Sequence, residues 1–199
     1  MRIGISALLF FCTIITVTNC GKKADIDQPT FTKADSLTER YLSLQDSMLL
    51  SWNLMINDDN QKIEAMHDLL HELMVTSTGD NELHAYEEQL DHLVELRYDQ
   101  RSLADEDLIE EYDFASNLLV SELISQAESR TEFAYNTTLQ KLVEQIRISD
   151  QRVNIYRESY DVIASKYNAF LNANRSHLTD ISMQDSLELK PLFQMTYDN

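Results

Sequence analysis

The longest hydrophobic pattern in the chain lies between Leu139 and Phe170. Apolar and aromatic residues recur there at alternating spacings of three and four, and Ser149 is the one polar interruption. This spacing places them on one face of a helix, and a face of this length must be buried against partner helices. The pattern therefore predicts a long amphipathic helix that ends near Asn174.

A second stripe of the same kind covers residues 41–73 and is crossed by a wholly polar run at 57–62. The run has the composition of a loop. However, Trp52 and Ile63 lie eleven residues apart, so the stripe resumes on the same helical face after the run. We therefore expect one continuous helix over residues 35–75.

A turn at residues 77–81 separates this helix from a third stripe. The third stripe consists of Leu83, Tyr86, Leu90, Val94, Arg97, Arg101, Ala104, Leu108, Tyr112, Ala115, Leu119 and Leu123. Arg97 and Arg101 stand where apolar residues belong, and folding back at the turn brings them level with Asp59 of the first helix. Arg157, beside the longest stripe, lies at about the same level. We predict a structural polar layer of Asp59 with Arg97 or Arg101, which fixes helix register more than it adds stability.

Glycine and proline are scarce, with 3 and 2 residues in the 199-residue chain, and Gly79 is the only one of them within the helical region. A Rossmann sheet, a β-sandwich or a phosphate-binding glycine loop needs more turn residues than this. We expect an all-α fold, an elongated up-down-up bundle of three long helices with coiled-coil-like packing. If the second helix breaks near 102–106, the count becomes four. The bundle covers 34–175, and a loosely held tail covers 176–199, in which 190–193 packs back onto the bundle.

The net charge is −18, from 34 acidic and 16 basic residues. Nucleic acid is therefore excluded as a partner, because its recognition depends on basic patches. Broad contact with anionic lipid is disfavoured for the same reason. The acidic surface is typical of a well-solvated protein.

The N-terminus has the layout of a bacterial lipoprotein signal. Arg2 precedes an apolar run at 3–17, and Cys20 follows shortly afterwards. We interpret residues 1–19 as a signal peptide and Cys20 as an acylated new N-terminus. Asn19 stands where lipoprotein signals usually carry a small residue. An uncleaved anchor is the weaker alternative, since the run is shorter than the ~20 residues that span a bilayer.

Cysteine usage supports the same interpretation. Cys12 lies inside the signal, so Cys20 is left alone in the mature chain and no disulfide framework is available. Residues 20–33 then form a polar tether. The expected location is the bacterial cell envelope, with the protein anchored to a membrane by lipid and facing outside the cytoplasm.

One segment has the spacing of a metal site. His67 and His71 lie four residues apart on a helix, with Asp68 between them and Glu64 nearby, which resembles the zinc-binding pattern of metalloproteases. Against it, Asp68 is shorter than the usual glutamate and a slim bundle offers little cleft. We interpret these residues as surface positions, expect no cofactor, and expect no enzymatic activity.

Three stretches resemble the LemA family of membrane-tethered helical-bundle proteins. In the longest helix the matching residues are Arg152-Val153, Arg157, Tyr160-Asp161 and Tyr167-Asn168. In the first helix they are Trp52, Met55, Gln61, Lys62, Glu64, Met66, Asp68, Leu69 and Leu70. Residues 190–193 are similar to the family's basic-proline-aromatic end. The resemblance covers 41–193 and implies a membrane-tethered, elongated bundle for which no catalytic residues are agreed.

The sequence therefore favours a non-enzymatic envelope lipoprotein that acts as a scaffold or adaptor near the membrane. Two alternatives remain open, a zinc-dependent hydrolase that uses His67 and His71, and an acidic peptide-binding holdase. The expected partners are the membrane, through the lipid anchor, and one or more proteins that the sequence does not name. Self-association into homo-oligomers is also left open.

Overall fold

The fold is known from a computed structural model that describes residues 32–76, 81–178 and 187–193. In these ranges the helices are α1 (Lys33–Thr76), α2 (Asn81–Glu95), α3 (Glu106–Ser129) and α4 (Thr137–Leu178), with 3₁₀ turns at Ser102–Ala104 and Thr131–Ala134. The prediction of an elongated all-α bundle is confirmed.

The frame of the molecule is an antiparallel pair formed by α1 and α4. These helices contain 44 and 42 residues, and so each is more than about 60 Å long. Contacts between Glu72 and Asn136 at one end and between Tyr41 and Tyr167 towards the other show that they pair along their length. The polar run 57–62 is helical, so α1 is continuous, as the phase of its stripe predicted.

The predicted second helix is broken, and the chain reverses direction at the break. α2 runs back along α1, and α3 then runs in the same direction as α1, because Tyr112 contacts Asp59 and Ser116 contacts Lys62. The order is therefore up-down-up-down. The three-helix version of the prediction was wrong, and the version with a break near 102–106 describes the chain.

Local hydrogen bonds at two aspartates explain the break. The Asp99 carboxylate accepts from the backbone N–H groups of Arg101 and Ser102, both at 2.8 Å. Asp105 caps α3 by accepting from the N–H of Leu108 at 3.3 Å. Aspartate side chains in such turns offer the backbone an alternative to helical hydrogen bonds. This turn moves Arg101 out of any helix.

The core consists of two apolar clusters. The upper cluster lies between the α2–α3 hairpin, the C-terminal half of α1 and the first turns of α4. It includes Leu69, Leu73, Leu90, Leu123, Leu139 and Ile146. The lower cluster lies nearer to Lys33, where α1 begins, and it includes Tyr41, Met48, Trp52, Met55, Tyr160 and Tyr167. The tyrosines and methionines of the predicted stripes therefore serve mainly as core.

Residues 187–193, called here the C-terminal segment, pack on the lower cluster through Leu187, Leu192 and Phe193. The predicted packing of residues 190–193 onto the bundle is therefore found, and it extends back to Leu187. α4 continues beyond the predicted end near Asn174 to a buried Leu178. The predicted signal peptide, Cys20, most of the tether, the glycine turn and the remaining tail lie outside the described residues. In the described part, none of the helices has the length and hydrophobicity needed to cross a membrane.

Candidate functional site: a buried polar layer

A layer of buried and half-buried polar side chains lies between the two apolar clusters. It consists of Asp59, Lys62, Arg97, Tyr98, Tyr112, Asp113, Ser116, Asp150 and Arg157. We refer to this set as the polar layer. It draws on three helices and on the reversal after α2, so each of these elements is tied to the others at one level of the bundle.

Asp59 is the centre of one half of the layer. Its carboxylate accepts from the Tyr112 hydroxyl at 2.6 Å and from Arg97 Nη2 at 3.1 Å, and it lies 3.3 Å from Lys62 Nζ. Lys62 is only 2% exposed and also donates to Ser116 Oγ at 2.8 Å. A buried ammonium is tolerated only when it is paired and hydrogen-bonded in this way.

Arg157 is the centre of the other half. Its Nη1 and Nη2 atoms donate to the two carboxylate oxygens of Asp113 at 2.7 and 2.6 Å. Nη2 also donates to the Tyr98 hydroxyl at 2.6 Å. The guanidinium carbon lies 4.9 Å from the ring centre of Phe193, which brings the C-terminal segment into contact with the layer. This bidentate geometry is the strongest form of an arginine–carboxylate pair.

Burial sets the protonation of these groups. Burial raises the pKa of Tyr98 to about 12, with the nearby Arg157 acting in the opposite direction. Burial and then the charge of Asp59 raise the pKa of Tyr112 well above its usual value. For Arg157, burial favours a lower pKa, but the bonds from Asp113 and Tyr98 outweigh it and the pKa is raised. At neutral pH both tyrosines are therefore neutral hydrogen-bond donors and Arg157 is a cation.

A small pocket of about 140 Å³, partly open to solvent, lies beside Lys62, Asp113, Asp150 and Arg157. Such a space holds a few water molecules. The charged groups around it are paired, Lys62 with Asp150 and Arg157 with Asp113. This pairing is the arrangement expected of the structural polar layer that the sequence predicted.

The structure brings some of the predicted site residues together and leaves others apart. Asp59 and Arg97 meet, whereas Arg101 is exposed in the turn after α2. His67, His71 and Glu64 are all exposed on α1. Among the described residues, no group of three or more histidine, cysteine, aspartate or glutamate side chains is placed to hold a metal ion.

Sequence reasoning missed six members of the layer, which are Lys62, Tyr98, Tyr112, Asp113, Ser116 and Asp150. Lys62 had a detectable signal, since it lies three residues after Asp59 and four before Met66, which is the spacing of the α1 stripe. Tyr98 and Asp113 had none, because their roles depend on the reversal at 96–105.

Searches with protein-family models, curated proteins and solved structures returned no match to this chain. The likeness to the LemA family therefore rests on the sequence motifs given above.

Proposed function

We propose that this protein is a non-enzymatic lipoprotein of the bacterial cell envelope, a LemA-like helical scaffold or adaptor held near the membrane by an acylated Cys20. The observation that carries the proposal is the pairing of charged side chains inside the bundle. In the polar layer these side chains bind one another across α1, α3, α4 and the reversal after α2. Such an arrangement stiffens a rod and leaves its outer surface for partners.

Two further features support a tethered scaffold over a hydrolase. α1 begins at Lys33, so the predicted tether of residues 20–33 joins the rod at its lower end. The candidate zinc ligands His67 and His71 are solvent-exposed on one helix face, and a catalytic zinc site needs three protein ligands in a sheltered cleft. The scaffold needs no such cleft.

The two cysteines provide a matched test of the anchor. Wild type and Cys12→Ala are expected to incorporate labelled palmitate in bacterial cells and to have the mass of a chain that begins at residue 20. Cys20→Ala is expected to incorporate none, because the thiol that is acylated is gone. Cross-linking in intact envelopes followed by affinity purification then compares the partners of the three chains.

The proposal predicts that partner recovery falls for Cys20→Ala and stays unchanged for Cys12→Ala. A wild-type chain without lipid, or the same location and partners for Cys20→Ala as for wild type, would rule out a lipid-tethered scaffold.

A further inference from the structure

Three polar side chains of α4 bind the C-terminal segment by its main chain. They are Asp161, Asn168 and Arg175, called here the backbone-binding row. The contacts are Arg175 Nη2 to the Leu187 carbonyl, Asn168 Nδ2 to the Lys190 carbonyl, the Lys190 N–H to Asn168 Oδ1 and the Phe193 N–H to Asp161 Oδ1, each at 2.8 Å. The row therefore recognises an extended chain irrespective of its side chains.

The spacing of the row matches the repeat of an extended peptide. Its members lie seven residues apart, which is about 10.5 Å along a helix. The residues they bind, Leu187, Lys190 and Phe193, lie three apart, which is about 10 Å in an extended chain. The match explains how one helix face binds a peptide at three successive points. Pro191 fits because the N–H groups used belong to Lys190 and Phe193.

An aromatic pocket at the upper end of the row receives Phe193. The ring stacks on Trp52 at 6.2 Å, meets Tyr160 edge-on at 5.7 Å and lies 4.9 Å from the Arg157 guanidinium. These three residues are buried, whereas every residue of the segment keeps partial exposure and Leu189 is 51% exposed. The segment thus lies in an open groove on the surface of the lower cluster.

We propose that this groove is a binding site for an extended, proline-containing segment of a partner protein that ends in an aromatic residue, and that residues 187–193 are its internal occupant. The claim that the occupant is a partner protein rests on the proposed function, because it says what the scaffold binds. The existence of the groove as a peptide-binding site does not depend on it. Peptide binding is measured in solution and lipid attachment in cells, so either result stands without the other.

An internal segment competes at an effective concentration in the millimolar range, so the intact chain is expected to bind a free peptide weakly. Phe193→Ala removes the ring from the internal segment and keeps the backbone-binding row. A labelled peptide with the sequence of residues 187–193 should therefore bind full-length Phe193→Ala at least ten-fold more tightly than wild type, as measured by fluorescence anisotropy. The same peptide with alanine in place of its phenylalanine should lose most of this binding.

Adding Asn168→Ala to Phe193→Ala removes two hydrogen bonds to the peptide backbone and should weaken binding by about ten-fold. Asn172→Ala is the matched control on the same helix, since Asn172 is exposed, and it should leave affinity unchanged. Asn168→Asp keeps the acceptor oxygen and loses the N–H donor, so its peptide affinity should lie between those of Asn168→Ala and the control. Thermal unfolding by circular dichroism shows that each variant is folded.

A second measurement uses tryptophan fluorescence. Trp52 is the only tryptophan in the chain and stacks on the Phe193 ring, so the peptide should change its fluorescence in Phe193→Ala, where binding restores a ring to the pocket. Absence of saturable binding to Phe193→Ala, or equal affinity with and without Asn168, would overturn the proposal. Concentration-dependent dimers that exchange the segment between copies would overturn the assignment to a partner protein and give the groove to a second copy.

Discussion

Replacement of Asp59 by leucine tests whether the polar layer determines register and stability. Asp59 has three donors, Tyr112, Arg97 and Lys62. Asp58, the next residue, is also buried, but its ion pair is a 3.9 Å contact with the half-exposed Arg152. Asp58→Leu is therefore a matched control, because it makes the same chemical change one position away.

The expected decrease in the free energy of unfolding for Asp59→Leu follows from the interaction that each partner of Asp59 loses. The buried Tyr112 hydroxyl loses its acceptor, at about 1–3 kcal/mol. Arg97 is 30% exposed and can be rehydrated, so its loss is below about 1 kcal/mol. Lys62 keeps Asp150 and Ser116 but loses its nearest charge. The first two losses come to about 1–4 kcal/mol. With the loss at Lys62 added, we expect about 3–5 kcal/mol, the range found when one member of a buried ion pair is removed. Asp58→Leu should cost less than about 1 kcal/mol.

Urea unfolding followed by circular dichroism measures both variants. A third, Asp59→Leu/Lys62→Met, removes both charges and should recover much of the lost stability, because a buried pair replaced by apolar residues is often neutral. Register is followed through Ser51 and Ser159, whose Oγ atoms lie 3.1 Å apart. Cysteines at both positions, in a chain without its native cysteines, should form a disulfide in full only while α1 and α4 keep one register.

If the polar layer fixes register, Asp59→Leu should lose several kcal/mol of unfolding free energy. The double variant should then form the disulfide between cysteines at positions 51 and 159 incompletely. Equal costs for Asp58→Leu and Asp59→Leu would show that burial alone, and not the bonding of Asp59, matters. A full cross-link in every variant would refute the role of the layer in register.

Two further predictions concern pH and metal. The pKa values of Tyr98 and Tyr160 are raised by burial from 10.0 to about 12, so the folded state retains these protons while the unfolded state loses them. Stability should therefore be complete below pH 10 and fall as pH rises from 10 through 12, by up to about 1.4 kcal/mol per pH unit for each group. Tyr160→Phe should flatten this fall in urea titrations, and an unchanged slope would contradict it. Because His67 and His71 are exposed without a third ligand among the described residues, the purified chain should contain no stoichiometric zinc, and its unfolding midpoint should not respond to a chelator. Stoichiometric zinc that His71→Ala abolishes would instead support the hydrolase.

The sequence was informative where a pattern stays on one helix. The stripe of α1 keeps its phase across residues 57–62, and this alone predicted a continuous helix with Asp59 buried in it. The same logic placed Arg97 or Arg101 opposite Asp59, since two helices joined by a short turn must pair at matching levels, and in the structure the partner is Arg97. Both inferences need only helical geometry.

The pattern was misleading where local side-chain bonding competes with the helix. In the sequence the stripe continues from Leu90 through Val94 to Ala104, and no glycine or proline interrupts it. Asp99 and Asp105 bind backbone N–H groups there and end the helix. Within α2 the predicted stripe is also one residue out, since Leu93 is buried and Val94 is 40% exposed. Aspartates end helices only in suitable local context, so the sequence gave a break near 102–106 only as an alternative to a continuous helix.

Arg157 connects the two features that distinguish this bundle. Its guanidinium binds Asp113 and Tyr98 in the polar layer, and the Phe193 ring packs on it from the groove. A desolvated guanidinium bonds more strongly to its carboxylate because water no longer competes. We therefore expect filling of the groove to strengthen the Arg157–Asp113 pair. If the groove binds a partner segment, as proposed, its occupancy and the rigidity of the polar layer should change together, because both involve the Arg157 guanidinium.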